Sequence, residues 1–335
     1  MYALKGVAVS LRIRTSLAAF AGSAALLAAP LPAYSGAPES EWMEVFSPDG
    51  AISRALVPVR PQPPAAPQDV RADVVPIQQT GPSSERFDLV IVGDGYARAD
   101  LGAYHEQAVR RWEELAAVEP FRSYRESFNV WQVNVVSAES GVDNDPTMGV
   151  RRDTALDMGF WCRGDDPNTE RLLCVNETKA RQFAALAPEA EQVLALGNSA
   201  KYGGAGGGIA TSSGGNDRAG LIVVHELGHS VGGLADEYDY PEDTYTGPEP
   251  SEPNVSIHTR EEIEQGRLKW HEYLGKPSPD GGVVGAFEGA YYHRRGVYRP
   301  TEDSVMRTLG KEFNLPGRDA MIRAFEAALP LRRPI

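Results

Sequence analysis

Three residues in the middle of the chain have the types and spacing of a hydrolytic metal site. His225, Glu226 and His229 follow the apolar run 221–224, within the segment GLIVVHELGHSVGGLADEY. Side chains four positions apart share one face of an α-helix, so the two imidazoles can bind one metal ion, and zinc suits them. Zinc lowers the pKa of a bound water to about 7, and Glu226 can take its proton. The pattern predicts metal-assisted hydrolysis, with a peptide bond as the expected substrate.

The residues around this motif are typical of a buried helix that ends sharply. Apolar residues precede the motif and Leu227 lies within it, while Gly232 and Gly233 suit a helix end. A short pattern with three fixed positions also occurs by chance, and these flanks are what favour a metal site. After the glycines the chain can turn and bring back a third ligand.

The third ligand is expected just beyond the helix. The segment resembles the metzincin pattern H-E-x-x-H-x-x-G-x-x-H as far as Gly232, but Ala235 stands where that pattern has its last histidine. Zinc also accepts carboxylates, so Asp236 is the predicted ligand and Glu237 the alternative. A less favoured ligand would come from a later charged helix, at Glu261, Glu262 or Glu264. The other histidines lack ligand spacing and are interpreted as ordinary surface or hydrogen-bonded residues: His105, His258, His271 and His293.

The N-terminus predicts export. Residues 1–33 combine the basic residues Lys5, Arg12 and Arg14 with an Ala/Leu-rich run and a small residue for cleavage at Ala33, as in a secretory signal peptide. A membrane anchor is the alternative, but the apolar run is short for a span. We expect a secreted or periplasmic protein with no stable membrane anchor after signal cleavage.

Composition limits the classes of partner. The chain has 335 residues and a net charge of −13, and loss of three basic residues with the signal peptide takes this to −16. A protein this acidic is a poor candidate for binding nucleic acid or anionic membranes. Cys162 and Cys174 are the only cysteines. In an exported protein they are expected to form a structural disulfide, with two free thiols as the alternative.

The rest of the chain divides at about residue 86. Residues 34–85 are rich in proline, which excludes helix interiors and central strands, so we expect an arm or linker; a removable pro-segment is the alternative. Residues 86–335 are expected to form the catalytic domain. Their predicted strands are 87–92, 128–136 and 192–196, and their predicted helices are 99–118, 178–186, 260–273 and 317–329. This alternation predicts an α/β fold with several parallel strands.

Two further segments carry weaker signals. The glycine-rich residues 202–215 lack a phosphate-loop ending, and we interpret them as an edge strand that could pair with an extended peptide. The acidic residues 241–253 could offer carboxylates to calcium, but a solvated loop is the simpler interpretation.

With these residues in view, the chain resembles the IgA peptidase family of secreted zinc metallo-endopeptidases. The resemblance rests on HELGHSVGGLADEY at 225–238, LVIVGDGYARAD at 89–100, FEGAYY at 287–292 and YRPTEDSVMR at 298–307. It implies a zincin-like fold, in which a twisted mixed sheet carries the active-site helix beside a smaller C-terminal lobe. It also implies a protein or peptide substrate, Met306 as the methionine of a Met-turn, Glu226 as general base, and zinc ligands at His225, His229 and Asp236.

Peptide hydrolysis further requires a group that stabilises charge on the carbonyl oxygen. Tyr298 and Arg307 are candidates because they lie near Met306 in the sequence. Two other functions stay open: an exported, non-catalytic binding or cell-envelope protein on a zincin scaffold, and an amidase acting on a non-protein amide. Glu226 favours an enzyme, since a binding protein needs no base there.

Overall fold

The computed structural model describes residues 39–59 and 71–329, so the predicted signal peptide and part of the proline-rich arm lie outside it. Over the described ranges, no helix is both long enough and apolar enough to cross a membrane.

A mixed sheet of six strands forms the centre of the protein. Its strand order is β3-β5-β4-β6-β8-β7, and β5, β4, β6 and β8 run parallel. The strands are β3 (Val74–Gln78), β4 (Phe87–Asp94), β5 (Phe128–Val133), β6 (Gln192–Gly197), β7 (Gly204–Ala205) and β8 (Ala210–Ser213). All of β4 is buried, because both faces of the sheet are covered.

Helices cover the two faces of this sheet. Phe87, Leu89 and Ile91 of β4 pack in one core with α1 (Leu101–Ala116), α3 (Gly220–Ser230) and α5 (Leu315–Ala328). Val90 and Val92 point the other way, into a second core with α2 (Glu177–Ala184). Alternate side chains of β4 therefore point to opposite faces of the sheet, and each face is covered by helices. The α/β prediction is confirmed.

A smaller sheet is built from the C-terminal part of the chain. Its order is β10-β11-β9, with β9 parallel and β10 antiparallel to β11. The strands are β9 (Asp239–Thr244), β10 (Phe287–Ala290) and β11 (Tyr292–Arg299), and α4 (Arg260–Gly266) lies between β9 and β10 in sequence. Helix α4 is shorter than the predicted 260–273, because Arg267 adopts a left-handed conformation with φ of 52°.

The proline-rich stretch 34–85 contains three strands that its composition does not predict. β1 (Ser40–Phe46) and β2 (Ile52–Pro58) pair with each other as an antiparallel hairpin, which we call the N-terminal hairpin. β3 joins the main sheet by pairing with β5, so that sheet begins before residue 86. Pro76 lies in β3, and an edge strand tolerates it because no neighbour needs the missing N–H.

Two other predicted features can be placed. The sulfurs of Cys162 and Cys174 are bonded to each other. The glycine-rich segment forms β7 and β8, with β7 at the end of the sheet order. However, Gly204 of β7 already donates to the Arg171 carbonyl and accepts from the Leu173 N–H on its outer side. That position is therefore not free to pair with a peptide.

Candidate metal centre

The end of α3 shapes the site. Gly233 has φ of +59°, a left-handed conformation that glycine adopts without strain, and it ends the helix. The Leu234 N–H then donates to the Gly228 carbonyl at 3.1 Å, which folds the chain back over the last turn. As a result the Leu234 carbonyl reaches His229, and Asp236 returns to the face of α3 that carries both histidines.

Both imidazoles are oriented by backbone carbonyls. His225 Nδ1 lies 3.0 Å from the Val305 oxygen, and His229 Nδ1 lies 2.7 Å from the Leu234 oxygen. A carbonyl only accepts hydrogen bonds, so each ring carries a proton on Nδ1, and in the neutral ring the lone pair is then on Nε2. The two Nε2 atoms are 3.1 Å apart. This is the orientation that metal-binding histidines have when a second group fixes the tautomer.

Two carboxylates complete the group. Asp236 Oδ1 lies 3.4 Å from Nε2 of both His225 and His229, and Glu44 Oε2 lies 3.4 Å from the same two atoms. The ligand atoms of these four residues all lie within 4.8 Å of one another.

Each carboxylate is held by a tyrosine through its second oxygen. The Tyr292 hydroxyl donates to Asp236 Oδ2 at 2.5 Å, and the Tyr238 hydroxyl donates to Glu44 Oε1 at 3.0 Å. Asp236 Oδ1 is buried without any hydrogen-bond partner. A cation would satisfy it, and a set of two imidazoles with carboxylate oxygens fits zinc. The residues present therefore fit a metal ion.

The charges at the site also favour a cation. Burial lowers the pKa of His225, but the Glu44 and Asp236 carboxylates outweigh burial and raise it to about 10. Burial opposes ionisation of Asp236, but the neighbouring His229 and His225 hold its pKa well below the usual range. The carboxylates thus favour positive charge at the point where the four ligand atoms meet.

Glu226 lies beside this group without joining it. Its carboxylate is buried, and Oε1 has no hydrogen-bond partner. A Cβ at Gly206, just after β7, would overlap the carboxylate, so only glycine leaves room for it there. Burial, and next the nearby Glu44, raise the pKa of Glu226 to about 8. The raised pKa makes the ionised Glu226 a stronger base than an ordinary glutamate.

The two alternatives for the third ligand separate clearly in space. Asp236 faces the imidazoles, whereas Glu237 points into a buried network. Glu237 accepts hydrogen bonds from the side chains of Asn254, Ser304 and Asn314. The later candidates Glu261, Glu262 and Glu264 lie on α4, outside the ligand group.

Met306 lies beneath the helix that carries the histidines. A Cβ at Gly228 would come within 2.5 Å of Met306 Sδ, so the two residues are in direct contact. The preceding residue, Val305, supplies the carbonyl that orients His225. The Met306 carbonyl accepts from the Glu237 N–H at 2.8 Å. This segment therefore contacts both α3 and the residue after Asp236, and the role of Met306 as the methionine of a Met-turn stays a prediction.

Tyr298 and Arg307 have partners outside the ligand group, and their role as stabilisers of the carbonyl oxygen stays a prediction. Arg307 donates to the Glu237 carbonyl and pairs with Asp239, each at 2.7 Å. Tyr298 is near the far end of β11, and its charged neighbours are Glu288, Glu262 and Glu261. Tyr298 lies six positions after Tyr292 on β11, a separation of at most about 20 Å in an extended strand. The tyrosines at the site are instead Tyr238 and Tyr292.

Glu44 is the site residue that the sequence does not reveal. It lies 181 positions before His225, on β1, in a stretch with no ligand spacing to the His-Glu-x-x-His motif. Only the packing of the N-terminal hairpin brings it to the imidazoles. Among the described residues of the acidic segment 241–253, no comparable group of ligands occurs.

Comparison with known families agrees with this geometry. A mixed α/β fold with a helix-borne His-Glu-x-x-His motif and a carboxylate on the same face is typical of metallopeptidases. A family model described as IgA Peptidase M64 matches residues 75–280 and 276–325. The chain belongs to this peptidase family, which implies a protein or peptide substrate. The matched residues include Glu226 and Asp236 but not Glu44. No curated protein matches the chain.

Proposed function

We propose that the protein is an exported, zinc-dependent endopeptidase, in which His225, His229 and Asp236 hold the metal and Glu226 is the general base. The observation that carries the proposal is the pair of Nε2 atoms, 3.1 Å apart, with both Nδ1 protons committed to carbonyls. Asp236 adds a buried oxygen without a partner. Export is proposed from the signal-like residues 1–33.

The chemistry follows from the positions of these residues. Bound zinc would supply a Lewis acid, which polarises a water molecule and the carbonyl of the scissile bond. Glu226 accepts a proton from the attacking water while the water oxygen bonds to the carbonyl carbon. The proton then passes to the amide nitrogen as the C–N bond breaks, which leaves a carboxylic acid and an amine.

Tyr292 and Met306 position this machinery through the residues they contact. The hydroxyl of Tyr292 holds Asp236 Oδ2, which leaves Oδ1 to face the imidazoles. Met306 packs against α3 at Gly228, in the turn between the two histidines. Fixed ligands of this kind keep the site ready before substrate arrives.

The test is casein hydrolysis by the full chain, before and after chelation and after zinc is restored. We expect activity to disappear with the metal and to return with zinc. Glu226→Gln should keep its zinc and lose about 10²- to 10⁴-fold in rate, the usual contribution of a general base. Glu261→Gln, an exposed residue of α4, is the matched control and should behave as wild type.

Two outcomes would overturn the proposal. If zinc-loaded Glu226→Gln cleaves as fast as wild type, Glu226 is not the base. If neither the zinc-loaded wild type nor zinc-loaded Glu44→Ala cleaves a protein or peptide, the non-catalytic binding protein or the amidase takes its place.

A further inference from the structure

We propose that the N-terminal hairpin is a built-in inhibitor of this site, in which Glu44 occupies the metal-coordination position that hydrolysis requires for water. The inference rests on the proposed function. Hydrolysis then requires the hairpin to leave the site, either transiently or after its removal.

The first argument is the number of ligands. Catalytic zinc sites have three protein ligands and keep a further position open for water or substrate, whereas sites with four protein ligands are closed and structural. His225, His229 and Asp236 already supply three ligands. Glu44 Oε2 is as close to both imidazoles, at 3.4 Å, as Asp236 Oδ1 is. With Glu44 in place the ligand group is that of a closed site.

Glu44 is oriented toward this position by a specific contact. Its Oε1 accepts the Tyr238 hydroxyl at 3.0 Å, which aims Oε2 at the imidazoles. The hairpin therefore places a second carboxylate at both imidazoles.

The residue opposite Glu44 on the hairpin also contacts the wall of the site. Arg54 is its cross-strand partner, so both side chains leave the same face of the hairpin. The Arg54 guanidinium lies 3.9 Å from the ring centre of Tyr292 and 5.3 Å from that of Tyr240. Its backbone N–H donates to the Tyr240 hydroxyl at 2.7 Å. One cross-strand pair thus places an anion at the candidate metal centre and a cation on the tyrosines beside it.

The hairpin forms a small sheet of its own. β1 and β2 pair only with each other and belong to neither of the larger sheets. The family match begins at residue 75, after the hairpin, so the peptidase unit is defined without Glu44.

The hairpin docks on the catalytic body through its turn and through both strands. At the turn, the Gly50 carbonyl accepts from the Leu309 N–H at 2.9 Å. Val45 and Val57 pack near Leu172 and Ala205, and Phe46 packs near Ile222. Trp42 and Leu56, which leave the same face as Glu44 and Arg54 nearer the open end of the hairpin, are each 55% exposed. Both faces of the hairpin therefore contact the body near its turn, while its open end is exposed.

The test compares Glu44→Ala with Glu41→Ala in the zinc-loaded full chain. Glu41 lies on the same strand and pairs with Arg163 at 3.0 Å, outside the ligand group, so it is a matched control. The first measurement is the affinity for acetohydroxamate, which binds zinc only where a coordination position is free. The second is the rate of casein hydrolysis.

We expect Glu44→Ala to bind acetohydroxamate more tightly by about tenfold or more, because apparent affinity scales with the fraction of open molecules. Hydrolysis should rise by a similar factor, and Glu41→Ala should match wild type. Arg54→Ala, which loosens the hairpin without touching a ligand, should shift both measurements in the same direction. It serves as the second variant if Glu44→Ala folds poorly.

The inference is contradicted if Glu44→Ala loses zinc, since Glu44 would then be a permanent ligand. It is also contradicted if acetohydroxamate affinity and hydrolysis are unchanged in Glu44→Ala. If acetohydroxamate binds more tightly but no variant cleaves a peptide, the inhibitory hairpin stands and the proposed peptidase function fails. If wild type and Glu44→Ala cleave equally well, the function stands and the inhibition fails.

Discussion

The carbonyls of Val305 and Leu234 decide what the two imidazoles can do. Each accepts a hydrogen bond from Nδ1, so each Nε2 lone pair is available to a metal. The same logic applies to Asp236, whose second oxygen is held by Tyr292. Loss of a group that hydrogen-bonds to a metal ligand typically lowers metal affinity by about 10- to 100-fold.

Tyr292→Phe tests this contribution. It removes the hydroxyl that holds Asp236 but keeps the ring, and we expect zinc affinity to fall by about tenfold, measured by competition with a chelator. Tyr291→Phe is the control, because its hydroxyl bonds Glu252, outside the ligand group. Equal zinc affinity in the two variants would contradict the role given to Tyr292.

A second residue-scale prediction concerns Asp94, at the end of β4. Burial raises its pKa above 3.8, against hydrogen bonds from the Met158 and Leu156 N–H groups that lower it. A raised pKa in the folded protein means that folding favours the protonated form. Its contribution to stability is complete below pH 3.8 and is lost as the pH rises through the raised pKa.

The measurement is urea unfolding of metal-free wild type and Asp94→Asn at a series of pH values that starts below 3.8 and rises. We expect the free energy of unfolding of wild type, relative to Asp94→Asn, to fall as the pH rises. A difference between the two proteins that does not change with pH would contradict the assignment.

At the scale of elements, the sequence predicts what is decided locally. Helix α3 could be predicted because its apolar run, its metal-binding pair and its terminal glycines lie within one short stretch. The turn that follows narrows the third ligand to Asp236 or Glu237. The sequence does not decide between the two, because the residues that hold Glu237 away from the site, Asn254 and Asn314, are distant in the chain. The presence of Tyr292 at the site could not be predicted for a similar reason, since its position opposite Asp239 is set by sheet pairing.

The N-terminal hairpin shows the same limit more strongly. Its strands are docked by residues such as Leu172 and Ile222, far away in the sequence, and prolines surround them. Composition averaged over 34–85 therefore predicts an arm, although two paired strands lie within it. Strand formation there depends on tertiary packing more than on local propensity.

The contact between α3 and Met306 makes a prediction at this scale. Gly228→Ala would place a Cβ 2.5 Å from Met306 Sδ, so we expect a loss of about 1–3 kcal/mol in the free energy of unfolding. Gly102→Ala, in α1, meets nothing within 4 Å and should stabilise by about 0.5–1 kcal/mol. Chemical denaturation measures both. Similar effects of the two substitutions would show that α3 and Met306 are not closely packed.

At the scale of the whole molecule, the site joins segments that are far apart in the chain. Ligand atoms come from α3, from the turn after it and from the N-terminal hairpin, while the carbonyl behind His225 comes from residue 305. A metal ion bound there would tie these parts together only in the folded state. Binding to the folded state alone stabilises a protein by about 4 kcal/mol when free ligand is at a thousand times its Kd.

We therefore expect chelation to lower the Tm of the wild type and added zinc to restore it, as measured by differential scanning calorimetry. His229→Ala loses a ligand, so its Tm should not respond to either treatment. A wild-type Tm that is indifferent to zinc would mean that no such ion joins these segments.

The most direct test of the central claim is the zinc content of purified wild type, Asp236→Ala and Glu237→Gln, with casein hydrolysis measured on the same samples. Asp236 faces both imidazoles, whereas Glu237 is bonded to Asn254, Ser304 and Asn314. We expect wild type and Glu237→Gln to hold stoichiometric zinc and to cleave casein, and Asp236→Ala to lose both. Full zinc and activity in Asp236→Ala, or a wild type that holds no zinc, would contradict the account.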